Sequence, residues 1–426
     1  MYSNQKLLNR DFLLVVIGQI ISLFGNTILR FALPLYLLNT TGSSAIFGSV
    51  MALSMIPMAL LSPVGGIIAD RINRRNIMIF LDFITSGLVI LFGLVFVPEH
   101  AVILIGTMMV VLSIIQSLYS PSVQASVPVL SSTKNLMKSN AIINQVQALS
   151  SLLGPIIGGI LYGFWGLMPI IVVGACSFFI SAVMEIFIHI PSVKRKDSEH
   201  SSNIIRQDIK DSLDFICHKN SVIFKIVLVI CSFNLFISAL IAVGVPTIIT
   251  INLALSSQLY GIAQGLMAAG ALLGGILTAI FASKLTADKS HFILFLASAS
   301  ILPIGIALIF PIPVMLAYGV ITLFSMILMT LASVFSIMML SYLQMITPNE
   351  LIGKVMSLII ALSVCSQPIG QALYGFLFSL SSSTPYVIIF GASCVTILIT
   401  LVSKPLFQNL PSITTPSSMT DTSSNL

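Results

Sequence analysis

Apolar residues run through this chain in long blocks, each closed by a few polar residues before the next begins. A helix crosses a bilayer with roughly 20 mostly apolar residues. Twelve blocks meet that length: 12–38, 45–69, 76–97, 101–124, 141–163, 168–190, 222–250, 259–283, 291–310, 313–342, 355–379 and 384–402. Most turns between them are too short to hold a soluble domain. The pattern predicts an all-α polytopic membrane protein. One stretch breaks the rhythm: residues 191–220 are densely charged and separate six spans from six. Ile205, Ile209, Leu213 and Ile216 recur there near one helical face, which predicts a short amphipathic helix on the inner membrane surface. The expected organisation is a six-helix bundle over 1–190, a cytoplasmic linker over 191–220 and a second six-helix bundle over 221–404. A Ser-, Thr- and Pro-rich tail over 405–426 is expected to be disordered.

The two halves repeat. IGGILYGF at 157–164 matches IGQALYGF at 369–376 in six of eight positions, and GGI at 65–67 recurs at 274–276. Each match is displaced by six spans, as duplication of a six-helix unit requires.

Composition agrees with this. Hydrophobic residues make up 57% of the chain and charged residues 8%, against about 25% charged in a soluble domain. Short cytoplasmic loops are enriched in Lys and Arg. With the N-terminus inside, 18 of the 19 basic residues fall on inner segments; the exception is Arg30. Both termini are therefore expected in the cytoplasm, and the net charge of +6 reports topology and anionic headgroups, not nucleic-acid binding. The first block is too long for a signal-peptide core and is expected to be retained. The five cysteines lack paired spacing, the five histidines lack metal-ligand spacing, and no hydrolase, zincin or nucleotide-binding motif is present. No enzyme, cofactor or metal is expected.

The turn GGIIADRINRR at 65–75 places Gly66, Asp70, Arg71, Arg74 and Arg75 in a G-x-x-x-D-R-x-x-R-R array. Glycine lets another helix approach, and the acid can pair with arginines or face a helix N-terminus. This describes a polar lock for one state of a rocking protein; an anchor loop obeying the charge rule explains the arginines but not an Asp at the helix end with Gly four residues before it. Asp82, seven residues after Arg75, is expected to face the same cluster, and Glu185 to reach towards water.

The turn resembles the loop between helices two and three of the major facilitator superfamily. The chain resembles the macrolide-efflux and drug- or siderophore-exporter branch along nearly its whole length. The similarity includes GQIISLFGN (18–26), ALP (32–34), SPSVQASVPVL (120–130), LGPIIGG (153–159) and TPNELIGKVMSL (347–358). It implies the major facilitator fold, with twelve transmembrane helices in two pseudo-symmetric halves. Asn73 stands where family turns place glycine, and asparagine tolerates the left-handed conformation. In LGPIIGG, Gly154 with Gly158, and Gly159 with Gly163, form small-x-x-x-small contacts, while Pro155 removes one helix hydrogen bond. A bendable helix between the halves and ordinary packing both fit; the resemblance favours export.

Gln19, Ser22, Asn26 and Arg30 on span one are spaced three, four and four, within about 80° of one face. A lipid-facing side would not carry such a stripe, so it must look at protein or a water-filled cavity. The resemblance implies that helices one, four, seven and ten line the central path. The same spacing then selects Ser113, Gln116, Ser117 and Ser120 on span four, and Asn234 and Ser238 on span seven. On span ten it selects Thr322, Ser325, Met329, Ser333 and Ser336. Arg30 is either a hydrogen-bonded strut or a cavity cation for anionic or electron-rich groups. Asn26 occupies a position where similar exporters carry an acid, so a proton as coupling ion is implied by resemblance alone.

The sequence thus predicts a secondary transporter in a bacterial plasma membrane, working as a monomer among lipids and exporting a macrolide-like or siderophore-like small molecule by alternating access. The alternatives are an importer or facilitator of an anionic metabolite, and a receptor or scaffold on a transporter fold. The charge map makes a direct prediction. A cysteine at Ser43 will react with an impermeant thiol reagent added to whole cells, and one at Asn73 will not; the reverse result refutes the orientation.

Overall fold

The computed structural model describes residues 10–131, 135–189, 214–216, 221–282, 284–348 and 351–410. Twelve helices carry the chain back and forth: α1 (Arg10–Thr41), α2 (Ser44–Arg71), α3 (Arg74–Val95), α4 (Ala101–Leu130), α5 (Leu136–Trp165) and α6 (Leu167–Ile186) form the first half. The second half contains α7 (Ser221–Asn252), α8 (Ser257–Ile280), α9 (Ala287–Ile309), α10 (Val314–Ile346), α11 (Ile352–Leu380) and α12 (Pro385–Gln408). All twelve are long and apolar enough to span a membrane. Their ends follow local chemistry. Gly42, at φ +61°, turns the chain between α1 and α2, and the Ser43 hydroxyl caps α2 by accepting from Ile46 N at 3.3 Å. Ser256 caps α8 in the same way. Large apolar side chains such as Leu94, Phe80 and Ile103 point outward, as a lipid-facing surface requires.

The sequence repeat is realised as repeated contacts. Gly65 of α2 lies on the Ser117 carbonyl of α4, and its counterpart Gly274 of α8 lies on the Thr330 carbonyl of α10. Gly158 of α5 faces Phe31 of α1, and its counterpart Gly370 of α11 faces Leu235 of α7. Where α5 meets α8, a Cβ on Gly159 would stand 2.7 Å from the Ser257 carbonyl and 3.0 Å from Gly261 Cα. Where α11 meets α2, a Cβ on Gly48 would stand 2.6 Å from the Gln371 carbonyl and 2.8 Å from Gly375 Cα. These two seams relate the halves by a pseudo-two-fold axis, each supplied by one of the matched octapeptides.

Both seams lie at the end of the molecule far from Arg10 and Gln408. The Asn39–Ser257 side-chain hydrogen bond (3.2 Å) and the stacked Phe31 and Tyr260 rings (5.1 Å) join the halves at that end too. Towards the terminal end the halves part. Gly66 on α2 and Gly353 on α11 have no atom within 4 Å of an added Cβ. The first half keeps its own terminal-end core there, built from Phe12, Val16, Ile77, Tyr119, Val127 and Ile143 without any residue of the second half. The molecule is sealed at the far end and open at the terminal end.

One expected boundary moves. The boundary expected at Pro405 falls inside α12, which continues to Gln408; Phe407 is fully buried against Phe335 and carries the helix past the proline. Ile205, Ile209 and Leu213 of the expected amphipathic helix lie outside the described residues, and Ile216 is buried. The tail from 411 is likewise outside them.

Overpacking a close contact costs about 1–3 kcal/mol. Gly159→Ala should therefore shift the population away from the far-end-sealed state by about five-fold or more. In a background free of native cysteines, the disulfide yield of an Asn39→Cys, Ser257→Cys pair should fall accordingly; an unchanged yield would show that this seam tolerates the added methyl.

Candidate functional site

The polar stripe of α1 is answered residue by residue by neighbouring helices. Gln19 donates to the Tyr119 hydroxyl of α4 at 3.0 Å, and Ser22 donates to Asp82 of α3 at 3.3 Å. Asn26 donates to Gln116 of α4 at 3.2 Å. Arg30 donates through Nε to Asn26 Oδ1 at 3.2 Å and through Nη2 to the Ser113 hydroxyl at 3.0 Å. Because α1 and α4 are antiparallel, residues climbing α1 meet residues descending α4. The stripe is a polar zip inside the first half, with most of its length buried in protein.

Only its last member reaches open space. Arg30 borders a cavity of about 360 Å³ between the halves, with Phe31, Pro34, Phe47, Tyr260, Gln264 and Met329 among its walls. That volume lies within the range of small-molecule sites, roughly 300–1,000 Å³. Arg30 is the one charged residue among the cavity's lining residues. Gln264 carries a buried Oε1 without a hydrogen-bond partner, and Gln367 and Ser151 add further polar edges. The remaining wall is mostly aliphatic, aromatic and Met, a surface that adapts to bulky apolar groups.

The sequence profile of the Major Facilitator Superfamily matches residues 15–370. The chain belongs to that superfamily. It is 26% identical over 306 residues to macrolide efflux protein A of Streptococcus pyogenes, which covers 72% of this chain and 73% of the relative. It is 26% identical over 265 residues to macrolide efflux protein A of Enterococcus faecalis, covering 61% and 79%. The fold matches the crystal structure of the nucleoside transporter NupG with a TM-score of 0.75 at 12% identity, over 94% of this chain and 100% of that one.

The residues selected on helices one, four, seven and ten fall in different surroundings. Of these, Arg30, Ser238 and Met329 line the cavity. Ser113 and Gln116 act on it through Arg30 and Asn26. Ser117 is buried with its hydroxyl on the Ile114 carbonyl at 2.6 Å, and Ser120 is half-buried. Asn234 donates to Ile230 O of its own helix at 3.1 Å. Thr322 and Ser325 are buried in α10, Ser333 packs against Gly274, and Ser336 is exposed. On the cavity side α7 is wound in wide π-helical turns over Asn234–Ser238 and Leu240–Gly244, a departure frequent at functional positions.

The missed wall is α8. Tyr260, Gln264, Met267, Ala268 and Ala271 recur at three- and four-residue spacing and so share one face. That signal stood in the sequence, but the resemblance pointed to helices one, four, seven and ten.

In the 65–75 turn, Arg74 donates to Ala69 O at 3.1 Å and Ala125 O at 2.8 Å, tying the end of α2 to α4. Arg75 donates to the carbonyls of Glu185 and Ile186 at the end of α6, where a cation complements the helix dipole. The Asp70 side chain lies outside the described residues, Arg71 is exposed, and Gly66 faces open space. Asn73 is not left-handed: at φ −61° it caps α3, accepting from Arg75 N at 3.0 Å. Asp82 does not face the arginines. Seven residues bring it back to the same helix face but about 10 Å further along the axis, where Ser22 meets it. Nor does Glu185 reach water: it is 1% exposed and accepts from the Tyr119 hydroxyl at 2.8 Å. In α5, Gly154 accommodates Thr27 of α1, Pro155 and Gly159 lie on Gly261 of α8, and Gly158 accommodates Phe31.

Asn26 joins Arg30 to Gln116, so Asn26→Leu removes one interhelical hydrogen bond, to α4, and one within α1. Such bonds contribute about 0.6–1.7 kcal/mol each within membranes. The melting temperature in detergent should drop by a few degrees, while Ser120→Ala leaves it unchanged; equal melting of the two variants would contradict the zip.

Proposed function

We propose that this protein is a secondary transporter that exports a bulky, largely apolar small molecule of macrolide-like character by alternating access. The observation that carries this reading is the inter-half cavity, with apolar walls, one cation at Arg30 and hydrogen-bonding edges at Tyr260, Gln264 and Gln367. The similarity to macrolide efflux protein A over most of both chains supports the direction of transport. With the basic residues counted as above, the terminal end is cytoplasmic and the structure is inward-open. Substrate enters from the cytoplasm or inner leaflet, the far-end seams at Gly48–Gly375 and Gly159–Gly261 separate, and the terminal ends close. Gly66, Asp70, Arg71, Arg74 and Arg75 are proposed to secure one of these states.

An importer of small anions is the weaker reading. Arg30 already spends two of its donor nitrogens on Asn26 and Ser113, and the surrounding wall offers an anion little else. The same cation disfavours permanently cationic substrates.

Labelled erythromycin should accumulate in energised everted vesicles carrying the protein and not in empty ones. Gln264→Ala and Tyr260→Ala should raise KM several-fold, and Asp70→Asn should lower the rate with insertion intact. Accumulation no greater than in empty vesicles, for erythromycin and a panel of apolar toxic compounds, would refute export.

A further inference from the structure

Asp82 on α3 and Glu185 on α6 take no part in the cavity, yet both are buried in the first half, 2% and 1% exposed. Each has one oxygen occupied, by Ser22 and Tyr119 respectively. The other oxygen of each, Asp82 Oδ2 and Glu185 Oε2, is buried with no hydrogen-bond partner. Among the described residues, the polar groups around them come from α1, α4 and α6. From α1 come Gln19 and Ser22, with Asp11 further off accepting from His189 N. From α4 comes Tyr119, and from α6 Ser181, whose hydroxyl donates to the Gly18 carbonyl. Arg75 of α3 is turned to the backbone carbonyls of Glu185 and Ile186. Among the described residues, neither carboxyl is in an ion pair.

Asp82 and Glu185 lie close enough to repel each other electrostatically, with Tyr119 beside both, and two ionised carboxylates cannot share such a place. Each would bear a desolvation cost of several kcal/mol, and their mutual repulsion grows in a medium of low dielectric. Neighbouring carboxyls resolve this by retaining a proton. A proton also supplies what the two bare oxygens lack, since a carboxyl O–H can donate where a carboxylate only accepts.

We propose that Asp82 and Glu185 form a proton-binding pair set apart from the substrate cavity, and that loading and unloading this pair couples the halves' motion to a proton gradient. Proton binding stands independently of the export reading above; coupling rests on the transporter reading. The link to the cavity is structural. Ser22, which holds Asp82, lies on the same face of α1 as Arg30, and Tyr119, which holds Glu185, lies on the helix that supplies Ser113 and Gln116. A shift of α1 along α4 changes the hydrogen bonds of the carboxyl pair and of the cavity cation together. The coupling proton is then carried outside the cavity, whose lining contains no acidic residue.

Two ligand-free measurements on purified full-length protein test this. Difference infrared spectroscopy should find a protonated-carboxyl band at neutral pH that disappears on alkalinisation and is lost or shifted in Asp82→Asn and Glu185→Gln. In a background free of native cysteines, spin labels at Gly66→Cys and Gly353→Cys should report an inner-end distance distribution that shifts with pH over the same range. Either carboxyl substitution should flatten that shift. A wild-type protein without a protonated carboxyl at neutral pH overturns proton binding without recourse to any variant. A sodium-dependent band in its place assigns the pair to a metal cation and also overturns it. A pH shift that is absent, or that survives both substitutions, overturns the coupling while leaving export of erythromycin to be judged by the vesicle experiment.

Discussion

Hydrocarbon offers no hydrogen bonds, so a polar side chain carried into the membrane must find its partner inside the protein, on its own helix or on another. Much of this structure follows from how α1 meets that constraint. Gln19, Ser22, Asn26 and Arg30 are each answered by α3 or α4, and the pairing fixes α1 against α4 over three turns. The first half is thereby braced as a body that can tilt as one piece. Arg30 is both strut and cavity cation: Asn26 and Ser113 hold its guanidinium in place, and its position at the cavity edge makes it available to a ligand.

The inter-half contacts obey a different rule. Where the halves meet, the contact is backbone on backbone, made possible by Gly48, Gly159, Gly261 and Gly375, with few polar links. Close packing of small residues gives van der Waals attraction without the specificity of a buried ion pair, and such a seam can part without leaving charges unpaired in lipid. A seam of small residues between the halves suits the proposed rocking of one half against the other. The inter-half side-chain hydrogen bond found among the described residues, Asn39 to Ser257, sits at the extreme far end, where water can replace it.

The architecture was legible because it depends on long-range averages. Apolar block length marks the spans, and the matched octapeptides mark the two-fold relation, which the structure returns as Gly158 packed on α1 and Gly370 packed on α7. The helical face of α1 was legible for the same reason. Its partners were not, because a one-dimensional pattern says that a stripe must be satisfied without saying by what. Tyr119, which no sequence pattern singles out, is the hub that joins Gln19 to Glu185. Asp82 was assigned to the wrong neighbours because sequence spacing gives the face of a helix but not which facing helix lies at that depth. The α8 wall was missed although its periodicity was available.

Alternation of access to one cavity position is the central claim, and Ser238 on α7 can report it. In a protein whose only cysteine is at that position, a small impermeant thiol reagent should label it from the cytoplasmic side in everted vesicles and, more slowly, from the outside in intact cells. Cross-linking the far-end seam through cysteines at Asn39 and Ser257 should abolish the outside reaction and leave the inside one. Labelling confined to one side, or outside labelling that persists with the seam locked, would contradict the account.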